Sequence, residues 1–179
     1  MKEKALHTFD IGVIAGDGVG PEVIAEGVKA LEAISKKAPS LKFKFTYYPW
    51  GCNYYLSHGK MMDEDGLERL AGHDAILLGA VGDPRVPDHV SLWDLLLRIR
   101  KGFDQYINLR PVKLLKGAPC PLKGASCEDI DMIFVRENSE GEYSGQGSWT
   151  DKGTPLEKAI QEDVFTRRGC ERVMKYAYE

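Results

Sequence analysis

The sequence predicts an α/β layered fold, and three observations carry that expectation. Segments of strand character alternate with segments of helical period, in the order strand, helix, strand, helix, strand, from Phe9 to Gly79. The run Asp74-Ala75-Ile76-Leu77-Leu78-Gly79 is continuously apolar at its centre, as suits a strand buried on both faces of a parallel sheet. A glycine cluster, Gly16-Asp17-Gly18-Val19-Gly20, stands between the first strand and the first helix, where a tight turn is needed.

The elements follow in order. Phe9 to Ala15 reads as the first strand, and Pro21, past the glycines, takes a first helical position where its missing N–H costs nothing. Ile24, Val28, Leu31 and Ile34 recur at helical spacing, and Pro39 stops the helix. Lys42 to Tyr48 alternates, placing Phe43, Phe45 and Tyr47 on one face of a second strand. A short helix over Glu64 to Ala71 leads into the apolar strand, Asp83 to Pro87 is a proline-broken loop, and Leu92 to Arg100 is helical. Tyr106 to Leu115 and Asp131 to Glu137 are strands, joined by a Pro- and Gly-rich surface connection over Lys116 to Asp129. From Thr166 onward Cys170, Val173, Met174 and Ala177 repeat at i, i+3, i+4 and i+7 with no stop signal before Glu179, the pattern of a helix cut in its middle.

Composition narrows the function. With 43% hydrophobic and 28% charged residues over 179 positions, the chain has the make-up of an ordinary globular protein and enough length for a hydrophobic core. A net charge of -3 offers no field for nucleic acid or an anionic membrane, so anion recognition must come from clustered arginines. The start, Met1-Lys2-Glu3-Lys4, is polar and shows no secretory signal, and no segment has the apolar length of a membrane span. Cys52, Cys120, Cys127 and Cys170 form no C-x-x-C pair, and His7, His58, His73 and His89 form no metal-ligand pattern. These features point to a reduced, cytoplasmic protein with neither a nucleic-acid nor a membrane partner.

The glycine cluster invites a dinucleotide-binding reading that its details resist. Gly16, Gly18 and Gly20 are spaced by two, the third fingerprint position is Pro21, and the second strand ends in Tyr48-Pro49-Trp50 with no acid for a ribose. A Rossmann site is rejected, leaving a plain β-to-α turn or one that brings backbone close to a ligand. The arginines say more. Arg100 ends a helix, Arg110 sits in a strand within Asn108-Leu109-Arg110-Pro111, and Arg136 ends the buried-looking strand Ile133-Phe134-Val135. Converging guanidinium forks suit a small polyanion, whereas each arginine alone is more simply a surface or interface ion pair. Tyr143, seven residues after Arg136, is a packing tyrosine or, if neighbouring cations lower its pKa, a general acid.

Together these stretches resemble the isocitrate and isopropylmalate dehydrogenase family of decarboxylating β-hydroxyacid dehydrogenases. The resemblance runs through Ala15-Gly16-Asp17-Gly18-Val19-Gly20-Pro21-Glu22-Val23, Leu77-Leu78-Gly79-Ala80-Val81-Gly82, the ten-residue interval from Arg100 to Arg110, and Val135-Arg136-Glu137-Asn138. Asp83-Pro84-Arg85 and Leu92-Trp93-Asp94-Leu95-Leu96-Leu97 look most like its tartrate and D-malate dehydrogenase branch.

The resemblance implies an isopropylmalate dehydrogenase-like doubly wound α/β fold, truncated, with parts of two domains. Residues 1–100 would begin the large domain, and 101–179 the second, with an arm over Gly145 to Pro155 that clasps another subunit in a homo-oligomer. It implies that Arg100, Arg110 and Arg136 bind the carboxylates of a di- or tricarboxylate substrate, that Tyr143 protonates the enolate left by decarboxylation, and that Gly82 and Asp83 lie beside the nicotinamide of NAD. Magnesium or manganese, its aspartate ligands and a catalytic lysine would belong to sequence beyond Glu179, since family members are about twice as long. No metal ligand is assigned in this chain, which is therefore read as a fragment without activity of its own. The competing reading is a non-catalytic carboxylate-binding or assembly module that kept the arginines. Ideal helix geometry puts Trp93, Leu96 and Leu97 on the face that carries Arg100, which would crowd the pocket and favour malate or tartrate over a branched substrate.

Overall fold

A computed structural model describes residues 6–179, so the polar start Met1 to Lys4 lies outside the described residues. The chain forms two compact units, Met1–Ile99 and Arg100–Glu179.

In the first unit β1 (His7–Ile14) is the centre of a parallel sheet of order β2-β1-β3, flanked by β2 (Leu41–Tyr48) and β3 (Ala75–Leu78). Phe9 pairs with Phe43, Ile11 with Phe45 and Val13 with Leu77, so alternation gathers these side chains on one face. Helix α1 (Gly20–Lys37) covers that face with Ile24 and Val28, which join Ile11 and Val13 in a buried cluster. Each such side chain stabilises the unit by roughly 1.5–3 kcal/mol relative to exposure, so α1 is fastened by its apolar stripe.

The opposite face belongs to α2 (Cys52–His58), α3 (Gly66–Ala71) and the segment between them, which bury Trp50, Met61, Met62 and Leu70. Gly12 makes room there: a Cβ on it would stand 2.8 Å from the His73 ring. His73 bridges Asp10 Oδ1 at 2.6 Å and the Tyr48 hydroxyl at 2.7 Å, and Tyr48 stacks on Trp50 with ring centroids 4.3 Å apart. Helices on both faces of a parallel sheet make the doubly wound arrangement.

Two expectations change. β3 is a short edge strand with Ala75 exposed and the rest half-buried, because only β1 flanks it; it is not covered on both faces. The helix expected over Leu92 to Arg100 runs as α4 (Asp88–Ser91), a π-helical turn (Leu92–Leu97) and α5 (Arg98–Gly102). Helix α2 was not legible, having no apolar period, although Gly59 ends it in the left-handed conformation common after helices.

In the second unit β4 (Ile107–Lys113) pairs antiparallel with β5 (Asp131–Glu137), and β6 (Gly141–Thr150) pairs antiparallel with β7 (Lys158–Val164). Helix α6 (Arg167–Tyr178) begins at Thr166, whose hydroxyl accepts from the Gly169 N–H. The segment Ile133-Phe134-Val135 is not the buried strand its composition suggested. Ile133 is 62% and Phe134 55% exposed, since two strands alone leave much of each face open. The polar stretch Gly145 to Pro155 lies within the β6–β7 hairpin and its connection.

Gly79 tests the tightest packing in the first unit. A Cβ there would be driven into the Ala15 carbonyl and to 3.0 Å from Ile24, whereas one on Gly72 would meet Arg69 O at 3.5 Å. Gly79→Ala should cost about 1–3 kcal/mol in urea unfolding, and Gly72→Ala should leave the midpoint nearly unchanged.

Candidate active site

The second unit assembles a cationic cluster by strand register. Asn108 stands opposite Arg136, and Arg110 opposite Phe134, so Asn108, Arg110 and Arg136 share one face of the β4–β5 ribbon. Glu137, the next residue, projects to the other face. Burial would raise its pKa, but Ser139 Oγ at 2.6 Å and the N–H groups of Ser139 at 3.0 Å and Glu140 at 2.8 Å hold it below the usual carboxylate value. Its charge is spent on that turn and does not neutralise Arg136.

Tyr143, at the start of β6, receives a hydrogen bond from Arg136 Nη2 to its hydroxyl oxygen at 3.1 Å, and the guanidinium lies 5.4 Å from its ring centroid. That hydrogen bond, with the charges of Arg136 and Arg100, lowers the phenol pKa against the opposing effect of burial. Arg100 is half-buried at the start of the unit. Desolvation lowers its pKa, Tyr143 opposes the shift, and the like charges of Arg136 and Arg110 add to it.

Among the described residues, no carboxylate lies within ion-pair distance of Arg100, Arg110 or Arg136. Arg69, Arg85, Arg167 and Arg172 each have one, Asp63, Asp83, Glu171 and Asp104 respectively. Within the described residues, then, none of the three arginines of this cluster forms an ion pair. Four of the residues singled out in the sequence are thus brought together, and the arrangement is suited to holding a small polycarboxylate beside a phenol of increased acidity. Asn108 and Asn138 also belong to it. Both stood in the quoted motifs without a role, and Asn138 is 4% exposed.

In the first unit Gly82 has φ of 146°, and no atom lies within 4 Å of where its Cβ would stand, so a flat ring can approach its backbone. The Gly82 N–H donates to Asp17 Oδ2 at 3.1 Å, and the same buried carboxylate accepts from the Cys52 N–H at 2.9 Å. The aspartate of the glycine cluster therefore ties three loops together. Beside it the Cys52 thiol is pushed up to about 12, first by burial and then by Asp17, and is inert. Arg85 donates to both carboxylate oxygens of Asp83, at 2.9 and 2.7 Å, and holds that carboxyl at about 2.

Trp93, Leu96 and Leu97 all fall in the π-helical turn, whose wider i to i+5 bonding shifts them off the α-helical spacing assumed from sequence. Leu97 is buried with Leu95 and Ile99, Trp93 is half-buried, and Leu96 lines a cavity of about 310 Å³ with Val81, Asp88, Ser91 and Leu92. Among the described residues, no group of three His, Cys, Asp or Glu side chains is arranged to hold a metal ion, and no helix is long and apolar enough to cross a membrane.

The phenol provides a direct check on the cluster. In tyrosine-labelled protein, Tyr143, assigned by its loss in Tyr143→Phe, should ionise below the usual tyrosine value. Arg136→Gln should move that ionisation upward; an unchanged titration would separate the two groups.

Comparison with known proteins supplies the family. The family model for isocitrate/isopropylmalate dehydrogenase matches residues 10–179. The chain is 50% identical over 175 residues to a tartrate dehydrogenase/decarboxylase of Pseudomonas putida, and 51% identical over 176 residues to the decarboxylating D-malate dehydrogenase of Escherichia coli. In each case the match covers 97% of this chain and 48% of the relative, so the chain spans about half the length of the curated relatives it matches. Among solved structures it is similar to a beta-decarboxylating dehydrogenase from Thermococcus kodakarensis, with TM-score 0.65 and 31% identity, covering 94% of this chain and 44% of that one. It shares its fold with isocitrate dehydrogenase from Methylococcus capsulatus, at TM-score 0.76 and 24% identity over 95% of this chain and 46% of that one. The motifs, the doubly wound first unit and the family match through Glu179 lead to one assignment: the chain belongs to the isocitrate/isopropylmalate dehydrogenase family of decarboxylating dehydrogenases.

Proposed function

We propose that the chain is the amino-terminal half of an NAD- and divalent-metal-dependent oxidative decarboxylase of malate-like 2-hydroxy acids, with D-malate or tartrate preferred over isopropylmalate. The observation that carries this reading is the convergence of Arg100 and Arg136 on Tyr143, with Arg110 nearby and, among the described residues, no acid paired to any of the three. In this reading Met1–Ile99 begins the large domain and Arg100–Glu179 the second, which includes the start of a subunit-clasping arm.

The guanidiniums bind the substrate carboxylates and fix the carbon skeleton against Tyr143. Loss of carbon dioxide leaves an enolate at the adjacent carbon, and the Tyr143 hydroxyl gives its proton to that carbon. The lowered pKa makes the phenol a stronger acid, and Arg136 stabilises the phenolate that remains until solvent returns the proton. The open backbone at Gly82, fixed by Asp17, suits the flat nicotinamide, with Asp83 held in place by Arg85. Oxidised NAD supplies the hydride acceptor and magnesium or manganese the Lewis acid. No residue described here forms a site for the metal, whose ligands we place with the catalytic lysine outside this chain. The exposed Trp149 and Ile160 of the β6–β7 hairpin suit contact with a second copy of the chain, in a soluble cytoplasmic homo-oligomer.

The test is NAD reduction with magnesium or manganese and D-malate, tartrate, isopropylmalate or isocitrate, on this chain and on a full-length version. The chain alone should be inactive. The full-length protein should show a higher kcat/KM for D-malate or tartrate than for isopropylmalate, and Arg136→Gln should lower it by at least tenfold, the order of one lost charge-assisted contact of about 1.5–3 kcal/mol. Turnover by the 179-residue chain, or a full-length preference for isopropylmalate, would contradict the proposal.

A further inference from the structure

The arginine cluster is threaded by a directional chain of amides. The backbone carbonyl of Gln105 can only accept, so the Asn138 side chain must turn its Nδ2 toward it, at 2.9 Å. Asn138 Oδ1 then faces Asn108 and accepts from Asn108 Nδ2 at 3.3 Å. Asn108 is left presenting Oδ1 to Arg110, whose Nε donates to it at 3.1 Å. Each link fixes the sense of the next. The starting point is itself held, since Asn138 is 4% exposed and its backbone N–H donates to Tyr106 O at 3.0 Å. Asn138 Oδ1 also meets Arg136 Nη1, at 3.5 Å.

A guanidinium can take a carboxylate along the edge formed by Nε and one Nη, or end-on with its two Nη groups. With Nε committed to Asn108, Arg110 has the end-on pair to offer. We propose that Asn138 and Asn108 are positioning residues for Arg110, setting its guanidinium so that a substrate carboxylate is received end-on by the two Nη groups. The inference rests on the carboxylate reading of the cluster. It adds to that reading a reason for two neutral amides among the cations: an acid in either place would pair with an arginine and reduce its availability to substrate.

The test is NMR of this chain labelled with 15N-arginine, read first without any ligand. The Arg110 Nε–H should exchange with water on the order of tenfold more slowly than that of the exposed Arg168, as one made hydrogen bond allows. Asn138→Leu should abolish this protection while the Arg172 signals, from its contacts with Asp104 and Ser139, stay in place as evidence of an intact fold. If Asn138→Leu loses the Arg172 signals, Asn108→Ala decides in its place, with the same loss expected. Fast exchange of Arg110 Nε–H in the unsubstituted chain, or unchanged protection in a folded Asn138→Leu or in Asn108→Ala, would overturn the proposal. Tartrate is then added. Shifts at the Nη groups of Arg110 support the end-on geometry. Shifts at its Nε–H, with the Asn108 bond displaced, refute that geometry alone, and no shift at Arg100, Arg110 or Arg136 counts against the carboxylate reading itself.

Discussion

The constraint on which the rest depends is like-charge repulsion among guanidiniums that no acid among the described residues pairs with. Arginine keeps its charge in a protein, so setting Arg100, Arg110 and Arg136 near one another costs free energy that ionisation cannot remove. A structural cluster would carry its own carboxylates, as Arg69, Arg85 and Arg172 do elsewhere in the chain. This one has a phenol and two amides instead. Each offers an oxygen to a guanidinium without supplying a negative charge, which leaves the cluster's charge available for the anion proposed above.

The fold meets this constraint with ordinary devices. Antiparallel register places Asn108 against Arg136, and alternation sends Glu137 to the far face, where Ser139 and Glu140 occupy it. At the base of β6 a second acid, Glu140, is spent on the start of α6. It accepts from the Thr166 N–H at 2.8 Å and hydroxyl at 2.7 Å, and Gly169, lacking a side chain, leaves room for it. Glu137 and Glu140 are thus each engaged away from the guanidiniums, one in its own turn and one at the start of α6. In the first unit the buried Asp17 accepts the backbone N–H groups of Cys52 and Gly82 and so fixes the loop at Gly82.

Much of this was legible in the sequence because it rests on short-range pattern. Alternation at Phe43, Phe45 and Tyr47 and helical spacing at Ile24 and Val28 depend only on backbone geometry, and both appear in the fold. The arginines and Tyr143 were legible as a motif, while their freedom from acids was not, since it depends on where Glu137 and Glu140 turn. The exposure of Ile133 and Phe134 escaped for a related reason: an apolar strand reads as buried whether or not anything covers it. Helix α2 lacked an apolar period, and the π-helical turn over Leu92–Leu97 breaks the spacing on which Trp93, Leu96 and Leu97 were aligned. The two asparagines showed no chemistry in sequence because their importance lies in the direction of an amide, which only partners reveal.

The central claim is that this cluster exists to hold a dicarboxylate against Tyr143. A crystal structure of the full-length protein with tartrate and a divalent cation tests it most directly. The account predicts carboxylate oxygens within hydrogen-bond distance of the guanidiniums of Arg100, Arg110 and Arg136, with the Tyr143 hydroxyl facing the carbon skeleton. Tartrate bound elsewhere, with these arginines paired to acidic side chains of the protein, would contradict it.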